Sequence, residues 1–315
     1  MSAGHFADRL LELTESKRSQ VVVGLDPRLE RMPEDLVQDC VSRHGRTPAA
    51  AAEAIGGFNR AVIDEVCRAA VAVKPQVAFY ERWGIEGLRA YAETVRYARS
   101  RGLLVIGDVK RGDISSTAEA YAAAHLPPGA AGAGGDWLEA GDFHADAITV
   151  NPLFGSDGVG PFVERAAEGS GGLFVLVRTS NPSSEELQGL RCARRPLYRH
   201  IAALVERWGE PYRGECGYSL VGAVVPGTFP EVLAELRRAM PHTPLLVPGF
   251  GAQGAGVADV TGAFDGEGLG ALVSSSRAIA YAYEAEHCAC GSWREAISEA
   301  AESMRSALWA ATHGG

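Results

Sequence analysis

Eight short apolar runs, separated by helical patterns, constrain the fold of this sequence more than any other feature. They lie at residues 21–26, 71–75, 103–108, 147–151, 173–178, 220–225, 244–247 and 271–274. Continuous apolar character, without alternation, is typical of parallel strands buried on both faces. Strands that alternate with helices predict right-handed crossovers, and eight repeats favour closure into an α/β barrel of the (β/α)8 (TIM) type. An open doubly wound sheet is the alternative.

Apolar residues at helical spacing fill the segments between several of these runs. The predicted helices cover residues 49–69, 86–100, 229–240 and 292–311. Ser292 is the expected N-cap of the last one. We expect residues 1–315 to form a single barrel domain. Two polar or Gly-rich segments, 127–142 and 181–197, interrupt the rhythm and are predicted to be inserted loops.

Charge and cysteine content exclude several classes of function. The chain has 30 Lys and Arg against 39 Asp and Glu, a net charge of −9, which disfavours nonspecific binding to nucleic acid or anionic membranes. No run of 18 apolar residues predicts a membrane span, and residues 1–20 carry charges unlike those of a signal peptide. The six cysteines are scattered, which favours reduced thiols and a cytoplasmic protein. Cys288 and Cys290 are spaced like a metal half-site, but surface thiols are the favoured interpretation.

The densest group of charges follows the third run, in the segment GDVKRGD. Asp108 and Lys110 are two residues apart and should point to the same side of a strand end. Asp113 follows a glycine and leads into a helix. An ammonium group between two carboxylates stays protonated, so Lys110 is a candidate proton donor rather than a Schiff-base nucleophile. A structural ion pair is the alternative for so short a motif.

Charges at two neighbouring strand ends favour the catalytic interpretation. Lys74 ends the second run and Asp26 ends the first, and adjacent strands would place both near Asp108. Buried ion pairs add little net stability, so stability alone does not explain such an array. At the other end of the chain, VPGFGAQG follows the seventh run and SSSR the eighth. Barrels often bind phosphate at these two loops, and Arg277 would supply a cation there.

Longer blocks around these residues carry a family resemblance. They read VVVGLDPRLERMP, VAVKPQVAFYERWG, VIGDVKRGDISSTAEAYA, DAITVNPLFGSDGVGPF, LFVLVRTSNPSS, LLVPGFGAQGAG and SSSRAIAYA, in order over residues 21–283. On these blocks the chain resembles the orotidine 5′-monophosphate decarboxylases, specifically the longer bacterial branch called type 2. The resemblance implies a barrel enzyme that converts orotidine 5′-monophosphate to uridine 5′-monophosphate and CO2, the last step of de novo pyrimidine nucleotide synthesis, without metal or organic cofactor.

The resemblance also implies roles for the charged residues. Lys110 resembles the proton donor to C6 of the pyrimidine, and Asp108 the carboxylate set against the substrate carboxylate. Lys74 resembles the lysine that completes the array and contacts the ribose. Asp113 resembles an aspartate that crosses a homodimer interface into the partner's site. The implied binding residues are Asp26 for the ribose, Ile114 and Thr117 beside Asp113, Ser180 and Pro248 for the base, and Gln253, Ser276 and Arg277 for the phosphate.

One position departs from the pattern of shorter relatives, which often have glycine where this chain has Ser276. The nearest alternative function is that of the Mg2+-dependent sugar-phosphate decarboxylases and aldolases, which share the barrel and the D-x-K-x-x-D motif. A metal site there would want further carboxylates at strand ends, and Lys74 would repel a divalent ion. A noncatalytic nucleotide-binding barrel is a third possibility. It would predict loss of at least one charged residue of the site, and all four are present: Lys74, Asp108, Lys110 and Asp113.

Overall fold

Eight parallel strands, each paired with its neighbour in the chain, close into a barrel within the part of the chain that the structure describes. This structure is a computed structural model that describes residues 4–129, 141–251, 254–285 and 291–314. The strands are β1 (Val21–Leu25), β2 (Ala72–Pro75), β3 (Leu104–Arg111), β4 (Ala147–Val150), β5 (Gly172–Leu176), β6 (Val221–Val224), β7 (Leu245–Pro248) and β8 (Ala271–Ser275). Pairing of β1 with β8, from Val21 opposite Val273 onward, closes the barrel. The predicted (β/α)8 barrel is confirmed, and the open sheet is wrong.

Helices connect the strands and surround the barrel. They are α1 (Phe6–Lys17), α2 (Glu34–His44), α3 (Pro48–Val66), α4 (Ala78–Glu81), α5 (Gly84–Ser100), α6 (Ser115–His125), α7 (Gly155–Glu168), α8 (Ser184–Leu187), α9 (Leu197–Gly209), α10 (Pro230–Ala239), α11 (Val257–Val260), α12 (Arg277–Ala280) and α13 (Trp293–His313). Short 3-10 turns lie at Leu29–Arg31, Glu210–Tyr212, Thr261–Ala263 and Ala282–Glu284. Ser292 caps α13, as expected, by accepting a hydrogen bond from the Glu295 N–H at 3.2 Å.

Burial explains why the apolar runs became strands. Every residue of β1 is buried, and Val21, Val22 and Val23 have no exposed surface. Such runs are covered by barrel interior on one face and by helices on the other, so both faces of each strand are apolar. Within the strands, charged residues are then confined to the strand ends, where Lys74 and Asp108 lie.

The two segments predicted as insertions differ in what can be described. Residues 130–140, most of the first segment, lie outside the described residues. The second segment contains α8 and a small antiparallel pairing of Arg191–Cys192 with Arg195–Pro196. We propose that residues 1–315 form one barrel domain and that both segments are insertions in it. Within the described ranges, no helix combines the length and apolar character needed to cross a membrane.

Candidate active site

Asp108, near the carboxyl end of β3, lies at the centre of the charged residues. One of its carboxylate oxygens, Oδ2, accepts a hydrogen bond from Lys74 Nζ at 2.9 Å. The other, Oδ1, accepts from Lys110 Nζ at 2.5 Å. The side chains of Lys74 and Asp108 are about 10% and 8% exposed, whereas that of Lys110 is 45% exposed. The buried pair therefore holds the more exposed Lys110 ammonium at the mouth of the barrel.

Two uncharged residues complete the contacts of Asp108. Gln76 Nε2 donates to Oδ2 at 2.9 Å, and Thr149 Oγ1 donates to Oδ1 at 2.9 Å. Each carboxylate oxygen thus accepts from one ammonium and one neutral donor. We call Lys74, Gln76, Asp108, Lys110 and Thr149 the Asp108 cluster. Sequence reasoning missed Gln76 and Thr149 because it followed charge, although the adjacency of β2, β3 and β4 would have placed both beside Asp108.

The charges of the cluster are fixed by their neighbours. Burial raises the pKa of Asp108, but the ammonium groups of Lys74 and Lys110 lower it more, so the pKa lies well below its ordinary value. Burial lowers the pKa of Lys74, but the carboxylates of Asp108 and Asp26 raise it more, so the pKa lies above its ordinary value. Near neutral pH, Lys74 is therefore a cation and Asp108 an anion. This tuning suits a permanently protonated amine and opposes Schiff-base chemistry.

Lys110 reaches Asp108 through an irregular backbone. The pairing of β3 with β4 shifts register between Gly107 and Arg111, which marks a β-bulge. Lys110 has φ +45°, in the left-handed region that a non-glycine residue enters at a cost of about 1 kcal/mol. Its N–H is held by Thr149 Oγ1 at 3.0 Å. Asp108 and Lys110 do meet, but the bulge, rather than regular strand alternation, aims the lysine.

Asp113 is not part of this cluster within one chain. Its Oδ1 accepts from the Ile114 N–H at 2.8 Å, and the described residues contain no ion pair between Asp113 and Lys110. The expected ammonium between two carboxylates is therefore replaced, within the chain, by a carboxylate between two ammonium groups. Asp113, Ile114 and Thr117 instead lie outside both cavities described next, and the Ile114 side chain is 49% exposed.

Two cavities meet at the carboxyl ends of the strands. The inner cavity, of about 180 Å3, is lined by Lys74, Asp108, Lys110, Thr149, Leu176, Thr179, Ser180, Val224, Leu246 and Pro248. The outer cavity, of about 400 Å3, is lined by Asp26, Arg28, Lys74, Pro248, Gly249, Phe250, Ser274, Ser276 and Arg277. Lys74 and Pro248 belong to both linings, so the cavities adjoin. Together they form one elongated site with ammonium groups at one end and guanidinium groups at the other.

The outer cavity offers an unsatisfied acceptor to a ligand. Among the described residues, buried Asp26 Oδ1 has no hydrogen-bond partner, although burying such an acceptor is costly. Ser276 sits against β1, where a Cβ added to Gly24 would come within 1.8 Å of Ser276 Oγ. Because Gly24 has no side chain, the Ser276 side chain fits against β1. Gln253, the other predicted phosphate residue, lies outside the described residues.

Arg28 and Tyr281 were missed by sequence reasoning. Arg28 lines the outer cavity together with Arg277, and its guanidinium lies 5.0 Å from the centre of the Phe79 ring. Its backbone N–H donates to the Tyr281 hydroxyl at 2.9 Å, and that hydroxyl donates to the Asp26 carbonyl at 3.1 Å. The loop after β1 is thereby fastened to the segment after α12. The blocks around both residues were noted, but nothing in them showed that they meet.

The donor set does not fit a divalent metal. Among the described residues, no group of three or more His, Cys, Asp and Glu side chains is arranged to hold an ion. Both oxygens of Asp108 already accept from ammonium groups, which a divalent ion would have to displace. Cys288 and Cys290 lie outside the described residues.

Comparison with known proteins places the chain in a family. Residues 19–289 match the model of the orotidine 5′-phosphate decarboxylase / HUMPS family. The chain belongs to this family. It is 41% identical over 307 residues to the orotidine 5′-phosphate decarboxylase of Rhodopirellula baltica, covering 96% of this chain and 98% of that one. It is 38% identical over 286 residues to the enzyme of the same name from Clostridium kluyveri, covering 89% and 88%.

A solved structure agrees with the family assignment. The structure of Leishmania donovani OMP decarboxylase superposes with a TM-score of 0.71 at 32% identity, covering 97% of this chain and 99% of that chain. The superposition covers nearly the full length of both chains, so the aligned part spans the barrel.

Proposed function

We propose that this protein decarboxylates orotidine 5′-monophosphate to uridine 5′-monophosphate and CO2. One observation carries the proposal: the Asp108 cluster faces a cavity of nucleobase size that adjoins a second cavity lined by Arg28 and Arg277. A nucleotide matches this arrangement. Its flat base would occupy the inner cavity, and its phosphate dianion would lie beside the arginines of the outer cavity. The names of the relatives and the family match support the same reaction.

The chemistry requires a cation beside C6 of the pyrimidine. When the bond between C6 and the carboxylate breaks, CO2 leaves and the electron pair stays on C6 in an in-plane orbital that the ring does not delocalise. The Lys110 ammonium stabilises the developing carbanion and then transfers its proton to C6. Water returns a proton to the lysine. Asp108 keeps the ammonium oriented throughout, because it stays ionised.

The outer cavity binds the part of the substrate that does not react. Asp26 Oδ1, which lacks a partner, would accept from a ribose hydroxyl, and Lys74 reaches the same wall. Arg277, with Ser276 and the predicted Gln253, would hold the phosphate. Binding energy from this remote end supports the chemical step when it is realised in the transition state.

The decisive experiment follows the absorbance of orotidine 5′-monophosphate after addition of EDTA-treated protein. We expect turnover by the wild type and none by Lys110→Ala. Turnover that returns only with Mg2+ would contradict the metal-free reaction; Mg2+-dependent turnover of a sugar phosphate, without turnover of orotidine 5′-monophosphate, would instead indicate the metal-dependent branch. Tight binding of uridine monophosphate without turnover under either condition would indicate a noncatalytic nucleotide-binding barrel.

We further propose a homodimer in which Asp113 and Thr117 enter the partner's site. Support comes from the position of Asp113, which makes no ion pair with Lys110 of its own chain among the described residues, and from apolar side chains exposed nearby. These exposed residues are Ile114, Tyr121, Leu153 and Phe154. Exposed apolar patches of this kind are typical of interfaces.

Mixing two inactive proteins tests the shared site. Lys110→Ala and Asp113→Ala chains, unfolded together and refolded, should regain activity, because some hybrid dimers contain one site with both wild-type residues. Mixtures that stay inactive while forming dimers would contradict the shared site.

The compartment is also a proposal. The cytoplasm is favoured because the reactants are charged nucleotides and the described cysteines are free thiols.

A further inference from the structure

The segment 181–197 folds back onto the end of β5, beside the inner cavity. It begins directly after Thr179 and Ser180, which both line that cavity. The segment turns through α8, and Gln188 follows this helix with its N–H donating to the Ser184 carbonyl at 2.8 Å. The Gln188 carbonyl accepts from the Tyr198 N–H, at the start of α9, at 3.1 Å. Gln188 is thus fixed on both sides by backbone hydrogen bonds.

The side chain of Gln188 makes a reciprocal pair of hydrogen bonds with Thr179. Its Oε1 accepts from the Thr179 N–H at 2.9 Å, and its Nε2 donates to Thr179 Oγ1 at 2.7 Å. Thr179 Oγ1 donates in turn to Asn181 Oδ1 at 2.6 Å. The Gln188 amide therefore fixes the backbone and the side chain of Thr179 at the same time, because its oxygen accepts and its nitrogen donates. Thr179 therefore has one orientation in the cavity wall.

A second contact fastens the same segment from the other side of Thr179. Arg178 is 1% exposed and forms an ion pair with Glu185 of α8. Its guanidinium lies 5.2 Å from the centre of the Tyr198 ring and 5.1 Å from that of Phe229. Arg178 thus anchors α8 to the barrel, and Gln188 transmits that anchoring to the cavity wall.

We propose that Gln188 is a positioning residue that holds Thr179 and Ser180 against the base of the substrate. The inference rests on the proposed function and gives the 181–197 segment a role in it. Because Thr179 and Ser180 line the inner cavity but not the outer one, loss of the clamp should weaken contacts to the base and leave those to the ribose phosphate intact.

The test replaces Gln188 by methionine, which keeps the side-chain length and removes both hydrogen bonds. Two ligands report on the two cavities: uridine monophosphate fills both, and ribose 5-phosphate fills only the outer one. For Gln188→Met we expect the dissociation constant of uridine monophosphate, measured by calorimetry, to rise about tenfold. That of ribose 5-phosphate should stay unchanged. In turnover assays, the KM for orotidine 5′-monophosphate should rise more than kcat falls.

Two further variants separate positioning from general damage. Gln188→Glu retains an acceptor for the Thr179 N–H and should recover part of the affinity for uridine monophosphate. Glu186→Ala, an exposed neighbour on α8, should behave as the wild type. If Gln188→Met does not fold, Gln188→Glu carries the same comparison, with a smaller but still selective loss.

Equal losses for both ligands, or none for either, would overturn the proposal. The calorimetric comparison needs no catalysis, so it distinguishes failure of the clamp from failure of the proposed reaction. A wild type that binds both ligands but never decarboxylates would refute the proposed function alone.

Discussion

The inner and outer parts of the site differ in how their buried carboxylates are hydrogen-bonded. In the Asp108 cluster, each oxygen of the buried carboxylate has two donors before any ligand arrives. In the outer cavity, Asp26 Oδ1 is buried and accepts no hydrogen bond from the part of the chain that the structure describes. The first arrangement fixes charges where a reaction develops charge, and the second keeps binding capacity for a ligand. The difference indicates that the inner part acts on the transition state and the outer part on affinity.

Removal of the Lys110 ammonium should have the largest effect of all, and it should lower the rate rather than the affinity. For Lys110→Ala we expect kcat to fall on the order of 10⁴-fold or more, because carbanion stabilisation and proton donation are lost together. The affinity for uridine monophosphate should change much less. Stopped-assay kinetics and calorimetry measure both quantities. A kcat within tenfold of the wild type would show that the inner part does not carry the chemistry.

Neutralising Asp108 should damage stability as well as rate. Asp108→Asn removes the carboxylate that pairs directly with the buried Lys74 ammonium, and breaking a buried pair costs about 3–5 kcal/mol. Urea unfolding at pH 7 measures this loss. Thr149→Val is the matched control, since it removes a neutral donor to Asp108 and the acceptor of the Lys110 N–H, and it should cost only about 2 kcal/mol, roughly 1 for each hydrogen bond.

The pH dependence of that loss follows from the lowered pKa of Asp108. A carboxylate whose pKa is lower in the folded protein contributes its full stability above its unfolded value near pH 4, and loses it as the pH falls toward the folded value. The stability difference between the wild type and Asp108→Asn should therefore be constant from pH 5 to 7 and shrink below about pH 4. A difference that grows on acidification would contradict the charge assignment.

A milder change tests the outer cavity. Arg277→Ala should lower kcat/KM for orotidine 5′-monophosphate roughly 10- to 150-fold, the equivalent of about 1.5–3 kcal/mol for a charged hydrogen bond. It should leave kcat/KM for orotidine, which lacks the phosphate, unchanged. Equal losses on both substrates would place Arg277 in the inner machinery instead.

The smallest expected effect concerns the close approach of Ser276 to Gly24. Gly24→Ala should lower the free energy of unfolding by about 1–3 kcal/mol, because the new methyl group overlaps Ser276 Oγ. The double variant Gly24→Ala with Ser276→Gly should recover most of that loss, since the overlapping side chain is gone. Urea unfolding of the two single variants and the double variant measures the coupling. Additive losses would show that the two positions do not meet.

Sequence patterns predicted the barrel because burial on both faces leaves a continuous apolar signal in each strand. They also brought Lys74 and Asp108 together, since neighbouring strands end at the same edge. They did not predict the β-bulge that gives Lys110 its positive φ, because the register shift arises from pairing with β4. Sequence patterns did not reveal Gln76 and Thr149, because a neutral donor can be recognised only when the position of its acceptor is known.

The segment 181–197 shows a second limit. Its polar composition predicted a loop and no role, and the contact of Gln188 with Thr179 spans nine positions without any periodic signal. The separation of Asp113 from Lys110 within one chain is a third limit, since the short motif did not show how the chain turns between the two residues. In each case the missing information is a tertiary contact rather than a local preference.

The pairing of β1 with β8 closes the barrel, and it joins the first and last strands that the ribosome makes. Val21 pairs with Val273, so one edge of the first strand must wait for a partner 273 − 21 = 252 residues later, while β2 pairs with its other edge. At about 5–20 residues per second, synthesis leaves that edge of β1 open for roughly 13–50 s. During that interval the nascent chain exposes one unpaired edge of an apolar strand, and Asp26 has no Arg277 opposite it. The outer cavity is therefore completed only when β8 and Arg277 have been made, near the end of synthesis.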